Sequence, residues 1–398
     1  MNKLYCRTFQ TGMKVANYFI GYRTPEIIEG EGSILELPKH ILSKGVKKVL
    51  LVTDPGLIKL GLINSLTSKM EDCNLDYVVF SNIQPNPTDE NVEEGFKIYK
   101  ENHCDGIVAF GGGSPIDCAK AIAARNAHPK KSVKKLQGIL KVHKKICPFW
   151  AVPTTAGTGS ETTVAAVITE ASTHHKAPIN DPAILPKYAV LDPELTKGLP
   201  PFITATTGMD ALCHAVESYT NSRYNTKEEN DRAKNAVRLI YKYILRAYND
   251  GNDMEARKNM QIAAFDAGRS FTRGCVGYVH AIGHTLGGLY GVAHGLAMSV
   301  ILPYVLRQYG SVVYKKLAEL ADVCDIKGTD EKDKALKFIS WIEETNSKMN
   351  IPKGFDCIKD SDIEQIITWA DKEANPLYPV PVLWNRNDFR KLINSIRI

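Results

Sequence analysis

The chain has 398 residues, 44% of them hydrophobic and 24% charged, a balance that excludes a disordered polymer and a length that calls for two hydrophobic cores. No apolar run approaches the roughly 20 residues of a membrane-spanning helix, and Met1–Ile20 lacks the unbroken apolar stretch of a secretion signal, so a cytoplasmic protein with no membrane partner is expected. Much of the net charge of +6 sits in seven lysines between Lys130 and Lys145, which bring no aromatic platform or binding motif with them and so predict a solvated surface and no nucleic-acid partner.

Along the chain, apolar runs alternate with amphipathic stretches. Lys48–Asp54, Asp76–Phe80, Gly106–Phe110 and Phe149–Pro153 are predicted strands, with helices over Asn91–Asn102 and Pro115–Ala127 between them. That alternation predicts a mostly parallel sheet flanked by helices. After the break at Pro200-Pro201 the pattern becomes helical, over Ala211–Ser222, Lys227–Tyr248 and Asp253–Phe271. The expected organisation is an α/β domain over residues 1–198 and an all-helical domain over 199–398, with a ligand cleft between two such bodies. Nine cysteines are scattered with no CxxC pair, which suggests neither a disulfide framework nor a zinc–thiolate site.

Two segments rich in small residues follow predicted strands. In Gly111-Gly112-Gly113-Ser114-Pro115-Ile116-Asp117 the missing side chains let backbone N–H groups approach a pyrophosphate at a helix start. Ser114 is expected as N-cap, with Asp117 completing a capping box and Pro115 at the first helical position. Pro153–Glu161 repeats the design with a Thr158/Glu161 pair. Two such loops on one sheet face one crevice, where open α/β sheets bind ligands, so the first domain reads as Rossmann-like and dinucleotide-binding. Asp54, ending a strand, either accepts hydrogen bonds from an adenosine ribose, favouring NAD over NADP, or starts the Asp54-Pro55-Gly56 turn.

In the helical half, Asp210 and His214 are four apart on one helix face, His280 and His284 repeat the spacing, and His294 follows. A carboxylate with several imidazoles suits a borderline divalent ion, Fe²⁺ or Zn²⁺, at an open catalytic site. Spacing leaves open whether Asp210 or Glu217 is the carboxylate ligand, and whether His280 or His284 is the imidazole.

Gly30–Ser33 (GEGS), Pro85–Thr88 (PNPT), Gly111–Lys120, Pro153–Glu161, Leu191–Thr196 (LDPELT), Gly208–Tyr219 and Gly277–Gly295 together resemble the iron-containing, group III alcohol dehydrogenase family over nearly the whole chain. The resemblance implies Asp210, His214, His280 and His294 as metal ligands and His284 in proton handling. It implies cofactor contacts at Asp54, Asn86, Gly112, Gly113, Ser114, Thr154, Thr155, Thr158, Lys176 and Leu191, with Lys176 in a less tightly matching stretch, His174-His175-Lys176-Ala177. The implied activity is hydride transfer between NAD(H) and a small primary alcohol, diol or aldehyde, in a homodimer or higher homo-oligomer. Arg273 stands where many members carry a small polar residue, so no single member's substrate transfers. A polyol dehydrogenase, a dehydroquinate-synthase-like lyase and an NAD-binding assembly module are the alternatives on this scaffold.

Overall fold

The structure is a computed structural model that describes residues 3–172, 176–221 and 223–398. The chain divides into two compact units, Gly21–Gly198 and a second made of the segment up to Ile20 with Leu199–Ile398.

Among the described residues the first unit holds nine strands: β1 (Glu26–Glu29), β2 (Lys48–Val52), β3 (Asp76–Phe80), β4 (Gly106–Gly111), β5 (Gly138–Ile139), β6 (Phe149–Pro153), β7 (Ala165–Thr169), β8 (Lys176–Asn180) and β9 (Tyr188–Leu191). Six form a parallel sheet in the order β1-β9-β6-β4-β2-β3, and the others a small sheet in the order β5-β8-β7. The central strands KVLLV, GIVAFG and FWAVP are apolar nearly throughout because both faces are covered. Alternate residues feed two cores: Leu50, Ile107 and Phe149 meet one set of helices, Leu51, Val108 and Trp150 the other.

Register places the loops. Gly111 pairs with Pro153, and Thr154 N–H donates to Gly111 O at 3.1 Å, so the two small-residue segments leave adjacent strands side by side. Gly111 has φ +152°, and a Cβ there would lie 2.6 Å from Pro115 Cγ; only glycine fits this strand-to-helix turn. The GEGS and LDPELT segments also meet: Asp192 accepts from Gly32 N–H at 3.1 Å and Ile34 N–H at 3.0 Å.

Three local expectations are corrected. The helix after the glycine loop spans Gly113–Ala127 with Gly112 as N-cap and no side-chain cap; Ser114 and Pro115 lie inside its first turn. Asp117 instead accepts from Ser160 Oγ at 2.6 Å and Val167 N–H at 2.9 Å, so tertiary partners outcompete the local capping box. Gly159, not Thr158, caps the short helix Ser160–Thr162, without a side-chain bond.

The second unit is helical. Its centre is Pro201–Asn221, which starts at the proline pair rather than ten residues later, because proline suits the first helical position; Ser222 and the His174-His175 pair lie outside the described residues. Lys227–Asn249, Met254–Gly274 and His294–Tyr309 pack around this helix and bury it from Gly208 to Asn221. Residues 3–20, expected with the sheet, group with this unit instead. Their helix, Lys3–Phe19, is bonded through Arg7 to Val380 O and Pro381 O, a long-range contact that local sequence does not announce. No helix among the described residues is long and apolar enough to cross a membrane.

Candidate metal centre and dinucleotide loops

Asp210 and His214 project from one face of Pro201–Asn221, His280 comes from the first turn of Tyr278–Tyr290, and His294 opens His294–Tyr309. Close backbone approach brings the last of these in: a Cβ on Gly295 would sit 2.4 Å from Thr206 O. Asp210 Oδ1 lies 3.4 Å from His294 Nε2, 3.7 Å from His280 Nε2 and 3.9 Å from His214 Nε2. One ligand atom from each of the four residues falls within 4.8 Å of every other.

These distances are long for hydrogen bonds, and buried Asp210 Oδ1 and His280 Nε2 have no hydrogen-bond partner. Leaving such atoms unsatisfied costs roughly 1–3 kcal/mol each, more for a charge; a shared divalent cation satisfies both. Burial alone would raise the Asp210 carboxyl, yet the charges of His214 and His294 hold it well below the ordinary carboxylate range. The donor set therefore fits Fe²⁺ or Zn²⁺.

Asp210 and Glu217 stand on different edges of the His280 ring. Glu217 lies behind His280, whose Nδ1–H donates to its Oε2 at 2.6 Å, while Oε1 accepts from Val279 N–H at 2.8 Å. With Nδ1 engaged, Nε2 faces Asp210, the arrangement by which a carboxylate fixes the tautomer of a metal-binding histidine. Cys213 lies near the same Nδ1, but burial and then Glu217 push its thiol well above its ordinary value, so it stays protonated and is a poor ligand. Phe271 stacks on His214 at 4.1 Å between ring centroids. Sequence reasoning had Glu217 as a rival ligand and missed its orienting role.

His284 stands one turn beyond His280 and stacks on His294, with ring centroids 5.2 Å apart. Its Nδ1–H donates to Glu373 Oε1 at 2.7 Å, and Tyr378 Oη–H donates to the same oxygen at 3.1 Å. Glu373 and Tyr378 were not foreseen; they lie in the final 70 residues, where no motif marks them.

In the sheet unit, Asp54, Asn86, Gly112, Gly113, Thr154, Thr155, Thr158 and Leu191 all lie at or beyond the C-terminal ends of the parallel strands, with Ser114 in the first turn that follows one of them. Added Cβ atoms would come within 3.5 Å of Thr155 at Gly112 and 3.0 Å of Thr158 at Gly113, a cradle that side chains would fill. Asn86 has φ +62°; its N–H donates to Ser114 Oγ at 3.4 Å and its Oδ1 accepts from Lys176 Nζ at 2.7 Å. Lys176 thus joins the group from the second sheet. Asp54 caps Pro55–Lys59, its Oδ1 accepting from Leu57 N–H at 3.0 Å, the turn-starting alternative. Unforeseen, fully buried Lys120 bonds Ser160 Oγ, Thr163 O and Oγ1, and Ala165 O at 2.8–3.1 Å. It pins the segment after the second loop to the helix after the first.

Residues 24–193 match the model of the iron-containing alcohol dehydrogenase family, and residues 204–396 match that of the Fe-containing alcohol dehydrogenase family C-terminal region. Alcohol dehydrogenase 4 of Schizosaccharomyces pombe is 39% identical over 356 residues, covering 88% of this chain and 83% of the relative. The NAD-dependent methanol dehydrogenase of Bacillus methanolicus is 36% identical, over 88% of this chain and 92% of its own. The crystal structure of a 1,3-propanediol oxidoreductase superposes with a TM-score of 0.91 at 34% identity, covering 95% of this chain and all (100%) of the other. With both halves matched, the chain belongs to the iron-containing alcohol dehydrogenase family.

Proposed function

We propose that this protein transfers a hydride between NAD(H) and a small primary alcohol, diol or aldehyde, with Asp210, His214, His280 and His294 holding iron. The observation that carries the reading is the convergence of one buried carboxylate and three imidazoles on unsatisfied atoms. Its relatives act on such substrates: a methanol dehydrogenase described as NAD-dependent and 1,3-propanediol dehydrogenases are among them. When bound, iron supplies Lewis acidity that lowers the pKa of an alcohol hydroxyl, and the nicotinamide supplies the hydride acceptor.

The chain's own residues do the rest. Glu217 orients His280, and Asp210 brings the negative charge that retains a cation. His284, its Nδ1 tied to Glu373, keeps Nε2 for holding and moving the substrate proton, a task suited to an imidazole. The sheet unit, Gly21–Gly198, would carry the dinucleotide and residues 199–398 the metal. Gly112, Gly113, Ser114, Thr154, Thr155 and Thr158 would take the pyrophosphate, with Asn86, Lys176 and Leu191 beside them. Asp54, although one carboxylate oxygen is engaged in its own turn, would still place negative charge at the strand end and repel a 2′-phosphate, so NAD is preferred to NADP. A cytoplasmic homodimer or higher homo-oligomer completes the proposal.

The test is anaerobic purification, quantification of bound iron and zinc, and turnover of primary alcohols, diols and aldehydes with NAD(H) and NADP(H). Metal-dependent turnover with NAD(H) is expected. The variant His280→Ala is expected to lose metal and turnover together; full metal with normal rates in that variant would remove the ligand assignment.

A further inference from the structure

The N-terminal helix Lys3–Phe19 precedes the span matched to the family, and its amphipathicity is reversed. It buries Cys6, Gln10 and Asn17 while Leu4, Val15, Tyr18 and Phe19 are each more than half exposed, at 75%, 58%, 79% and 79%. Apolar burial therefore does little to hold it; hydrogen bonds from its polar face hold it instead.

Those bonds converge on residues 376–381, part of the non-helical stretch between the helices Ile363–Ala374 and Arg386–Ser395. Arg7 donates to Val380 O at 2.9 Å and Pro381 O at 3.0 Å. Gln10 Nε2 donates to Tyr378 O at 2.9 Å and Pro376 O at 3.2 Å, and Arg7 Nη1 donates to Gln10 Oε1 at 2.7 Å. Peptide carbonyls in this stretch have no helix or strand to satisfy them, so two side chains of a distant segment do so.

The clamped stretch leads to the metal cluster. Tyr378 Oη–H and His284 Nδ1–H donate to the same oxygen of Glu373, and His284 stacks on His294. A second tie runs to the other side: Arg273 donates to Asn17 O at 2.8 Å and Tyr224 O at 3.0 Å, and Phe271, two residues before it, stacks on His214. The arginine that departs from the family pattern is thus engaged with the N-terminal helix.

We propose that Arg7 and Gln10 are positioning residues: by clamping residues 376–381 they hold Tyr378 and Glu373 where these fix the His284 ring beside the metal centre. The inference rests on the reading that His284 borders the reacting atoms. Neither residue touches substrate; their effect passes through the chain Gln10, Tyr378, Glu373, His284.

The experiment uses the full-length, iron-loaded protein and three variants. Gln10→Glu keeps the shape and the Arg7 partner but withdraws both donors; Arg7→Met with Gln10→Leu removes the clamp; Arg7→Lys keeps part of it. Amide exchange over 376–381, bound iron, NAD affinity, and kcat and KM for butan-1-ol and 1,3-propanediol against pH are measured. With both bonds from Gln10 to this stretch withdrawn, we expect Gln10→Glu to loosen it and speed exchange of its three amides, those of Leu377, Tyr378 and Val380, about tenfold, and to lower kcat/KM roughly 10- to 100-fold through misplacement at a distance. Iron and NAD affinity stay at wild-type levels, and Arg7→Lys falls between. Wild-type kcat/KM and pH profile in Gln10→Glu, or unchanged exchange, would overturn the proposal, and this variant decides if the double variant does not fold. Exchange reads the clamp without substrate, so an inactive wild type counts against the alcohol reading while the clamp is judged separately.

Discussion

Replacing Glu217 by glutamine preserves volume but removes the charge behind His280. The carboxylate now accepts from His280 Nδ1–H at 2.6 Å and from Val279 N–H at 2.8 Å. A glutamine amide has one oxygen, so one of these two buried donors loses its acceptor. If His280 loses it, the ring is free to change tautomer and present Nε2–H toward Asp210, a form that cannot bind metal. Loss of such an orienting carboxylate lowers metal affinity by about 10- to 100-fold, or about 1.4–2.7 kcal/mol. Glu217→Ala abandons both donors and adds about 1–3 kcal/mol of instability. Iron affinity, measured by competition with a chromogenic chelator alongside thermal unfolding, separates the two effects. Gln at wild-type iron affinity would refute the reasoning, and equal losses of iron in Gln and Asp substitutions would point to packing instead of charge.

Three further outcomes are expected. Burial raises the carboxyl of Glu161 from 4.5 to about 7, against a backbone hydrogen bond and Lys120. The folded state therefore holds this proton more tightly than the unfolded chain. The associated stability is present below the unfolded value and lost as pH rises through about 7. Denaturant titrations across that window should show Glu161→Gln gaining on wild type toward neutral pH by on the order of 3 kcal/mol; a pH-independent difference would contradict this. Gly111→Ala, whose Cβ meets Pro115 at 2.6 Å and which needs φ +152°, should weaken NAD binding roughly 5- to 150-fold through strain of about 1–3 kcal/mol while iron stays bound; calorimetry with NAD checks it. His284→Ala should retain iron, lose roughly 10²- to 10⁴-fold in kcat and change the pH profile, and an unaltered profile would count against proton handling.

Much of the sheet was legible because fully covered parallel strands are apolar runs: β2, β3, β4 and β6 match their predicted spans to within two residues. β1 and β9 were not, since four residues, with glutamates at both ends of β1, carry too little periodicity. β8 contains Pro178, which argues against a strand except at positions that need no N–H donor. The capping boxes at Ser114 and Thr158 were plausible locally and absent in fact: Asp117 is committed to Ser160 and Val167, partners that sequence spacing does not describe, and Glu161 is buried.

By itself the sequence determined that one carboxylate and several histidines share helix faces, that glycine loops follow strands, and which family joins these motifs. Spacing did not distinguish Asp210 from Glu217, seven residues apart and so on one helix face, and it was the family resemblance that implied Asp210. Only the tertiary structure shows how the two carboxylates stand to His280, because an imidazole has two nitrogens on opposite edges: the packing of Tyr278–Tyr290 turns Nδ1 of His280 to Glu217 and Nε2 to Asp210. The same holds for Arg7, Gln10 and Glu373, whose side-chain contacts with Val380, Tyr378 and His284 cross more than 80 residues of chain, such as the 89-residue separation of His284 and Glu373, a distance over which no local pattern carries information.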